Sequence, residues 1–149
     1  MNVRPMERRD LETWVAMQLE LWPDADRAEQ LESLEDYFEG GSDFITAAFI
    51  AEDNETPLGF LELNLRAYAE GAESSPVPHI EGWFVSEDAR RTGVGGALMQ
   101  AAEQWALANG YHELTSDTTD DYPISPAAHT KLGFVEGDRL ITFRKTLNT

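Results

Sequence analysis

Phe84-Val85-Ser86-Glu87-Asp88-Ala89-Arg90-Arg91-Thr92-Gly93-Val94-Gly95-Gly96 is the stretch on which the fold turns. Its first residues are apolar, Ser86 to Thr92 is polar, and the glycines lead into a helical stripe, so a strand, a turn and a Gly-rich helix start are expected in that order. A helix start of this kind exposes backbone N–H groups at the positive end of the helix dipole, which together make an anion site. Arg90 and Arg91 sharpen the inference. Two cations at a helix N-terminus oppose the dipole at a cost of about 0.3–1 kcal/mol each, and a bound pyrophosphate would reverse that sign. The Gly-Lys-Ser/Thr of a P-loop is missing and the glycine spacing is not G-x-G-x-x-G, so a phosphate site of another kind is implied. A solvated Gly-rich turn carrying surface arginines is the bland alternative.

Working outward, Val94, Ala97, Leu98, Ala101, Trp105 and Ala108 form a helical stripe closed by Asn109-Gly110. Upstream, Val77 to Val85 reads as a strand, and period-two geometry puts His79, Glu81 and Trp83 on one face and Ile80, Gly82 and Phe84 on the other. Phe44 to Ala51 and Leu58 to Arg66 are strand-like and joined by the turn sequence Asp53-Asn54-Glu55-Thr56-Pro57, which predicts an antiparallel hairpin with Leu61, Leu63 and Leu65 on one face. Nearer the start, Asn2 to Pro5 is a short strand. Leu11, Trp14, Val15 and Leu19 recur at helical spacing up to Pro23, and Ala28, Leu31, Leu34 and Phe38 repeat the pattern until Gly40-Gly41. Downstream, Tyr111 to Ser116 is strand-like and Ser125-Pro126 opens a short helix ending at Gly133. Phe134 to Glu136 and Leu140 to Lys145 are expected to complete a mixed sheet.

With 149 residues and no internal repeat, one α/β domain spanning 1–149 is expected. No apolar run approaches the roughly 20 residues needed to cross a bilayer, and Met1 to Leu11 lacks a signal-peptide layout, so a soluble cytoplasmic protein is expected. There is no cysteine, which excludes disulfides, thiolate metal sites and a cysteine nucleophile. His79, His112 and His129 have no second ligand at helical spacing, so no metal is expected. Asp and Glu number 28 against 11 Lys and Arg, a formal charge of −17, which makes nucleic acid and anionic membranes poor partners. Solubility alone accounts for such a surface, and so does a field that concentrates a polycationic substrate.

Arg90-Arg91-Thr92-Gly93-Val94-Gly95 resembles the R-x-x-G-x-G signature of the GNAT acetyltransferases, and Leu132-Gly133-Phe134 resembles their terminal G-F strand. The order of elements agrees over the whole chain. The resemblance implies an α/β (α+β mixed sheet) fold: a mostly antiparallel sheet flanked by helices, with splayed fourth and fifth strands that admit the pantetheine arm of acetyl-CoA. It also implies that Arg90, Arg91, Thr92, Gly93, Val94, Gly95 and Gly96 hold the pyrophosphate of the cosubstrate. Within that family, Leu21-Trp22-Pro23-Asp24, Arg66-Ala67-Tyr68, Glu81-Gly82-Trp83-Phe84-Val85, Ser116-Asp117 and Gly133-Phe134 leading to Asp138-Arg139 are similar to the aminoglycoside 6'-N-acetyltransferases. By that similarity Trp22, Tyr68, Glu81, Asp117 and Asp138 fall at aminoglycoside-contacting positions, while the Trp83-Phe84-Val85 backbone faces acetyl-CoA. Two positions depart from the pattern: Asp138 stands where Glu is common, and Tyr122 where an Asn often meets the cosubstrate. Homodimers are implied by the resemblance alone.

The residue types suit the chemistry, since a substrate with several ammonium groups needs carboxylates and aromatic faces to replace its water. Each has a plainer reading: Trp22 as core packing, Tyr68 as a loop aromatic, Asp117 and Asp138 as solvated turn residues. Glu81 carries more weight, because a charge among Val77, Ile80, Trp83, Phe84 and Val85 is costly to bury without a partner. The implied reaction is direct attack of a neutral 6'-amine on the thioester, with Glu81 as base through water, Asp117 as its positioning partner and the Val85 N–H at the oxyanion. His129, at the Tyr position of a Y-x-x-x-G-F pattern, and Tyr122 are both candidates for the general acid. Two alternatives stay open: a GNAT enzyme acting on a polyamine or protein amine, and a non-catalytic acyl-CoA-binding module.

Overall fold

The computed structural model describes residues 1–148. They group into two compact units, one from Met1 to Asp117 and a second from Thr118 onward.

The first unit is built on a sheet in the order β1-β2-β3-β4-β5. Strand β1 (Asn2–Pro5) pairs antiparallel with β2 (Ala47–Asp53), β2 with β3 (Thr56–Arg66), and β3 with β4 (Val77–Val85), while β5 (Thr115–Ser116) runs parallel to β4. The expected β2–β3 hairpin turn is tighter than its sequence suggests. Asp53 pairs with Thr56, and the two residues between, Asn54 and Glu55, both have positive φ (48° and 68°), the geometry that matches the twist of paired strands. Pro57 therefore lies inside β3, opposite Glu52.

Helices α1 (Leu11–Leu21) and α2 (Arg27–Phe38) fall where the apolar spacing puts them, α2 being capped by the Asp26 side chain accepting from the Ala28 N–H at 2.9 Å. Trp14, Val15 and Leu34 from these helices bury against Ile50, Phe60 and Phe84 of the sheet. The long helix α3 (Val94–Ala108) also packs on the sheet, and Leu98, Met99 and Ala102 are buried within it. Arg4 binds Asp10 (2.7 Å) and Glu52 (2.8 Å), tying β1 to the turn before α1 and to β2.

Two features of β4 and β5 correct the sequence reading. Glu62 of β3 pairs with Gly82 and Leu63 with Ile80, so Glu81 is an extra residue on β4, a β-bulge. Strict alternation fails there, and the expected common face of His79, Glu81 and Trp83 is broken. Strand β5 is also shorter than the expected Tyr111 to Ser116, because only His79↔Thr115 and Ile80↔Ser116 pair. Beyond Ile80, the β4 backbone from Glu81 to Val85 has no β5 partner, which is the parting of strands the GNAT resemblance implied.

In the second unit, α4 (Ser125–Lys131) starts with Pro126 in its first turn, and Gly133 (φ 92°) follows its end. Phe134 to Glu136 and Leu140 to Lys145 are not strands, contrary to expectation. Val135, Ile141 and Phe143 of this segment are at least 82% exposed.

Candidate active site

The turn after β4 has the form its sequence predicts. Arg91 (φ 65°) and Gly93 (φ 88°) are left-handed, and Gly93 is the N-cap of α3 without supplying any side-chain cap. The first N–H groups of α3 are thus free of side-chain competition, as an anion cradle requires. A side chain on Gly93 would meet nothing within 4 Å, so only the backbone conformation calls for glycine there. Gly95 is glycine for another reason. A Cβ on it would sit 3.2 Å from the Trp83 ring, whose Nε1–H donates to the Gly95 carbonyl at 3.1 Å. Arg90 is exposed and its Nε–H donates to the Val85 carbonyl (3.1 Å), while the Thr92 hydroxyl donates to the Ala89 carbonyl. The turn and the β5-side edge of β4 beyond Ile80 together fit a pyrophosphate and the arm that follows it.

The bulge turns Glu81 toward a cavity of about 520 Å³ between α1, α2 and the sheet, also lined by Gln18, Trp22, Gln30, Phe44, Ile45 and Glu62. Trp22 is half-buried, packs edge-on against Phe60 at 6.4 Å and forms part of this wall, so its core and lining roles coincide. Gly82 makes that possible: a Cβ there would lie 2.9 Å from the Trp22 ring and 3.1 Å from Glu62 Cγ. A smaller recess of about 210 Å³ shares Ser33 and Phe44 with the cavity and adds Glu29, Glu32, Asp36 and Asp43. The described lining carries carboxylates and no Lys or Arg, an environment suited to a polycation.

Glu81 is held by a residue the sequence reading left out of the site. Arg66 donates from Nε to Oε1 (2.6 Å) and from Nη2 to Oε2 (2.8 Å), a two-pronged grip that fixes the carboxylate while leaving lone pairs on both oxygens. That pairing holds the Arg66 guanidinium above its ordinary range. Beside it, buried His79 shares a 2.8 Å hydrogen bond between Nδ1 and the Thr115 hydroxyl. Among the described residues His79 Nε2 makes no hydrogen bond of ordinary geometry; it lies 3.5 Å from Asp117 Oδ2, whose side chain is 78% exposed. Burial, and next the Arg66 charge, push the His79 pKa below its usual 6.5, so the ring is neutral at pH 7.

Glu62 was missed altogether. It sits among Phe60, Leu61 and Leu63 on β3, 4% exposed, and its Oε2 accepts from Trp14 Nε1 and Gln18 Nε2, both at 3.0 Å. Burial pushes its carboxyl up to about 7, against partial relief from those two donors. The signal was available: a charged residue in an apolar strand, the same argument that singled out Glu81.

Of the remaining expected residues, Tyr68 is exposed and outside the cavity lining. Within the second unit, the Tyr122 N–H donates to the Thr119 carbonyl, His129 Nδ1 is 2.8 Å from the Ser125 carbonyl with its ring edge-on to Phe134, and Asp138 is exposed. Among the described residues, no group of three or more His, Asp or Glu is arranged to hold a metal.

Comparison with known proteins identifies the family. The profile of the Acetyltransferase (GNAT) family matches residues 9–134. The chain is 42% identical over 147 residues, 97% of its length and 96% of the relative's, to an aminoglycoside N(6')-acetyltransferase type 1 of Klebsiella aerogenes. To a protein of the same name from Salmonella typhimurium it is 36% identical, covering 97% and 99%. Among solved structures, AAC(6')-Iy in complex with the bisubstrate analogue CoA-S-monomethyl-acetylneamine superposes with a TM-score of 0.89 at 34% identity over 98% of both chains. The 6'-N-acetyltransferase AAC(6')-IG of Acinetobacter haemolyticus gives 0.88 at 30% identity, covering 99% and 100%. This chain belongs to the GNAT acetyltransferase family.

Proposed function

We propose that this protein transfers the acetyl group of acetyl-CoA to the 6'-amine of an aminoglycoside and thereby confers resistance to it. The observation that carries the reading is the placement of Glu81: the bulge sets it in an acidic, aromatic-walled cavity on the stretch of β4 that β5 leaves unpaired. The names of relatives that match the chain almost end to end support the same substrate.

Acetyl-CoA supplies a thioester whose carbonyl carbon is the electrophile. The α3 N-terminus from Arg90 to Gly96 holds its pyrophosphate, and the Trp83-Phe84-Val85 backbone, with the Val85 N–H at the oxyanion, lines its arm. Tyr122 is a further cosubstrate contact. Trp22, Tyr68, Glu81, Asp117 and Asp138 receive the aminoglycoside. Glu81, kept in place by Arg66, takes the proton of the attacking amine through water, with Asp117 as its positioning partner. We assign the enzyme to the cytoplasm as a homodimer with one domain over 1–149.

The test is incubation with acetyl-CoA and a kanamycin- or tobramycin-like drug, with NMR of the product. Acetyl on the 6'-nitrogen, and no product from 6'-hydroxyl analogues, is the expected result; acetyl on another amine refutes the regiochemistry. Glu81→Gln should lower kcat by about 10²–10⁴-fold, the scale of acid–base catalysis, whereas exposed Asp117→Asn should mainly raise KM. Wild-type kcat in Glu81→Gln would remove the base assignment.

A further inference from the structure

Glu62 is a buried carboxyl whose hydrogen-bonding neighbours are both neutral. Trp14 and Gln18 of α1 reach one of its oxygens, Oε2. Gln18 is itself held by Gln30 of α2, whose Nε2–H donates to Gln18 Oε1 at 3.1 Å. Among the described residues no ion pair involves Glu62, whereas Glu81 accepts two N–H groups from Arg66. The two carboxyls line the same cavity, yet among the described residues only Glu81 has a counter-ion. A buried carboxylate with no cation is expensive, and its burial is explained if the cation arrives with the ligand.

Resting on the acetyltransferase reading of this cavity, we propose that Glu62 is the counter-ion for a non-reacting ammonium group of the amine substrate and so a determinant of specificity. The reacting nitrogen must lose its proton beside the β5-side edge of β4, which Glu81 overlooks. Glu62, on β3, faces a different part of the bound polyamine, one that keeps its charge from binding through reaction. An interaction equally strong before and during the chemical step changes KM and leaves kcat alone.

The test compares the wild type with Glu62→Gln, which retains a carbonyl oxygen for Trp14 and Gln18. Calorimetry with tobramycin, without acetyl-CoA, should show affinity weakened about 10–100-fold, the scale of one charge-assisted hydrogen bond, while acetyl-CoA affinity is unchanged. Turnover should show the same factor in the amine KM. A series of analogues, each with one non-reacting amine replaced by hydroxyl, identifies the partner: one member should lose affinity for the wild type and none further for Glu62→Gln. On the wild type alone, amine affinity should strengthen as pH rises through about 7, where Glu62 ionises. Among the described residues the charged group acting on it is Glu81 of the sheet, itself paired with Arg66, while α1 presents the neutral Trp14 and Gln18, the latter held by the neutral Gln30 of α2. Unchanged tobramycin affinity in Glu62→Gln, a loss confined to kcat, or a flat pH profile would overturn the proposal. Acetylation by the wild type is scored separately, so the enzyme reading and the Glu62 assignment fail independently.

Discussion

Replacing Glu62 by Gln should stabilise the fold at pH 8 and leave it nearly unchanged at pH 4. In the unfolded chain this carboxyl ionises near 4.5, whereas in the folded protein burial holds its proton up to about 7. Between those values the folded state binds the extra proton, so raising the pH draws stability out of the wild type. The loss begins near 4.5 and is complete above 7. The interval, at 1.36 kcal/mol per pH unit, amounts to about 3 kcal/mol as an upper bound. Glutamine has no charge to desolvate and keeps an oxygen for Trp14 and Gln18, so its stability lacks this component. For a chain of this size about 2–4 °C accompanies each kcal/mol, giving a Tm difference of roughly 6–12 °C at pH 8. Urea denaturation of both proteins at pH 4.5, 6 and 7.5 measures it, because every other titrating group cancels in the difference. An offset that is the same at all three pH values would refute the reasoning, since it would mean that Glu62 does not titrate abnormally.

The other expectations probe the remaining parts of the site. Gly93→Val forces a β-branched residue into φ near +88°, at about 1–2 kcal/mol or more, and should weaken acetyl-CoA binding at least tenfold by calorimetry; unchanged affinity would exclude this turn as the phosphate site. Gly82→Ala puts a methyl 2.9 Å from Trp22 and 3.1 Å from Glu62 Cγ, so it should cost about 1–3 kcal/mol in denaturant titration and raise the amine KM as the cavity wall shifts. With a net charge of −17, the amine KM should rise between 50 and 300 mM salt as screening shortens the attraction; a salt-independent KM would assign the acidity to solubility alone.

The sequence by itself determined β4 to the residue and α3 from Val94 to Ala108, because both depend on local properties: alternation, helical spacing, a left-handed glycine before the helix and another after it. It likewise determined the Gly-rich turn and the helix start that follows it. Glu81 was recognisable as a charge in an apolar strand, but its direction was not, since strict alternation assigns it to the face of Trp83. Tertiary structure decided otherwise: the register against β3 leaves Glu81 as the extra residue of a bulge, and register is a property of two strands rather than one. The same dependence on a partner shortened β5 and left Phe134 to Glu136 and Leu140 to Lys145 out of the sheet, although their composition suits strands. Arg66 and Glu62 entered the site for a related reason. Arg66 meets Glu81 across 15 residues of chain, and Glu62 meets Gln18 and Trp14 across 44 and 48, and only folding brings such groups within reach of one another's charge and hydrogen bonds.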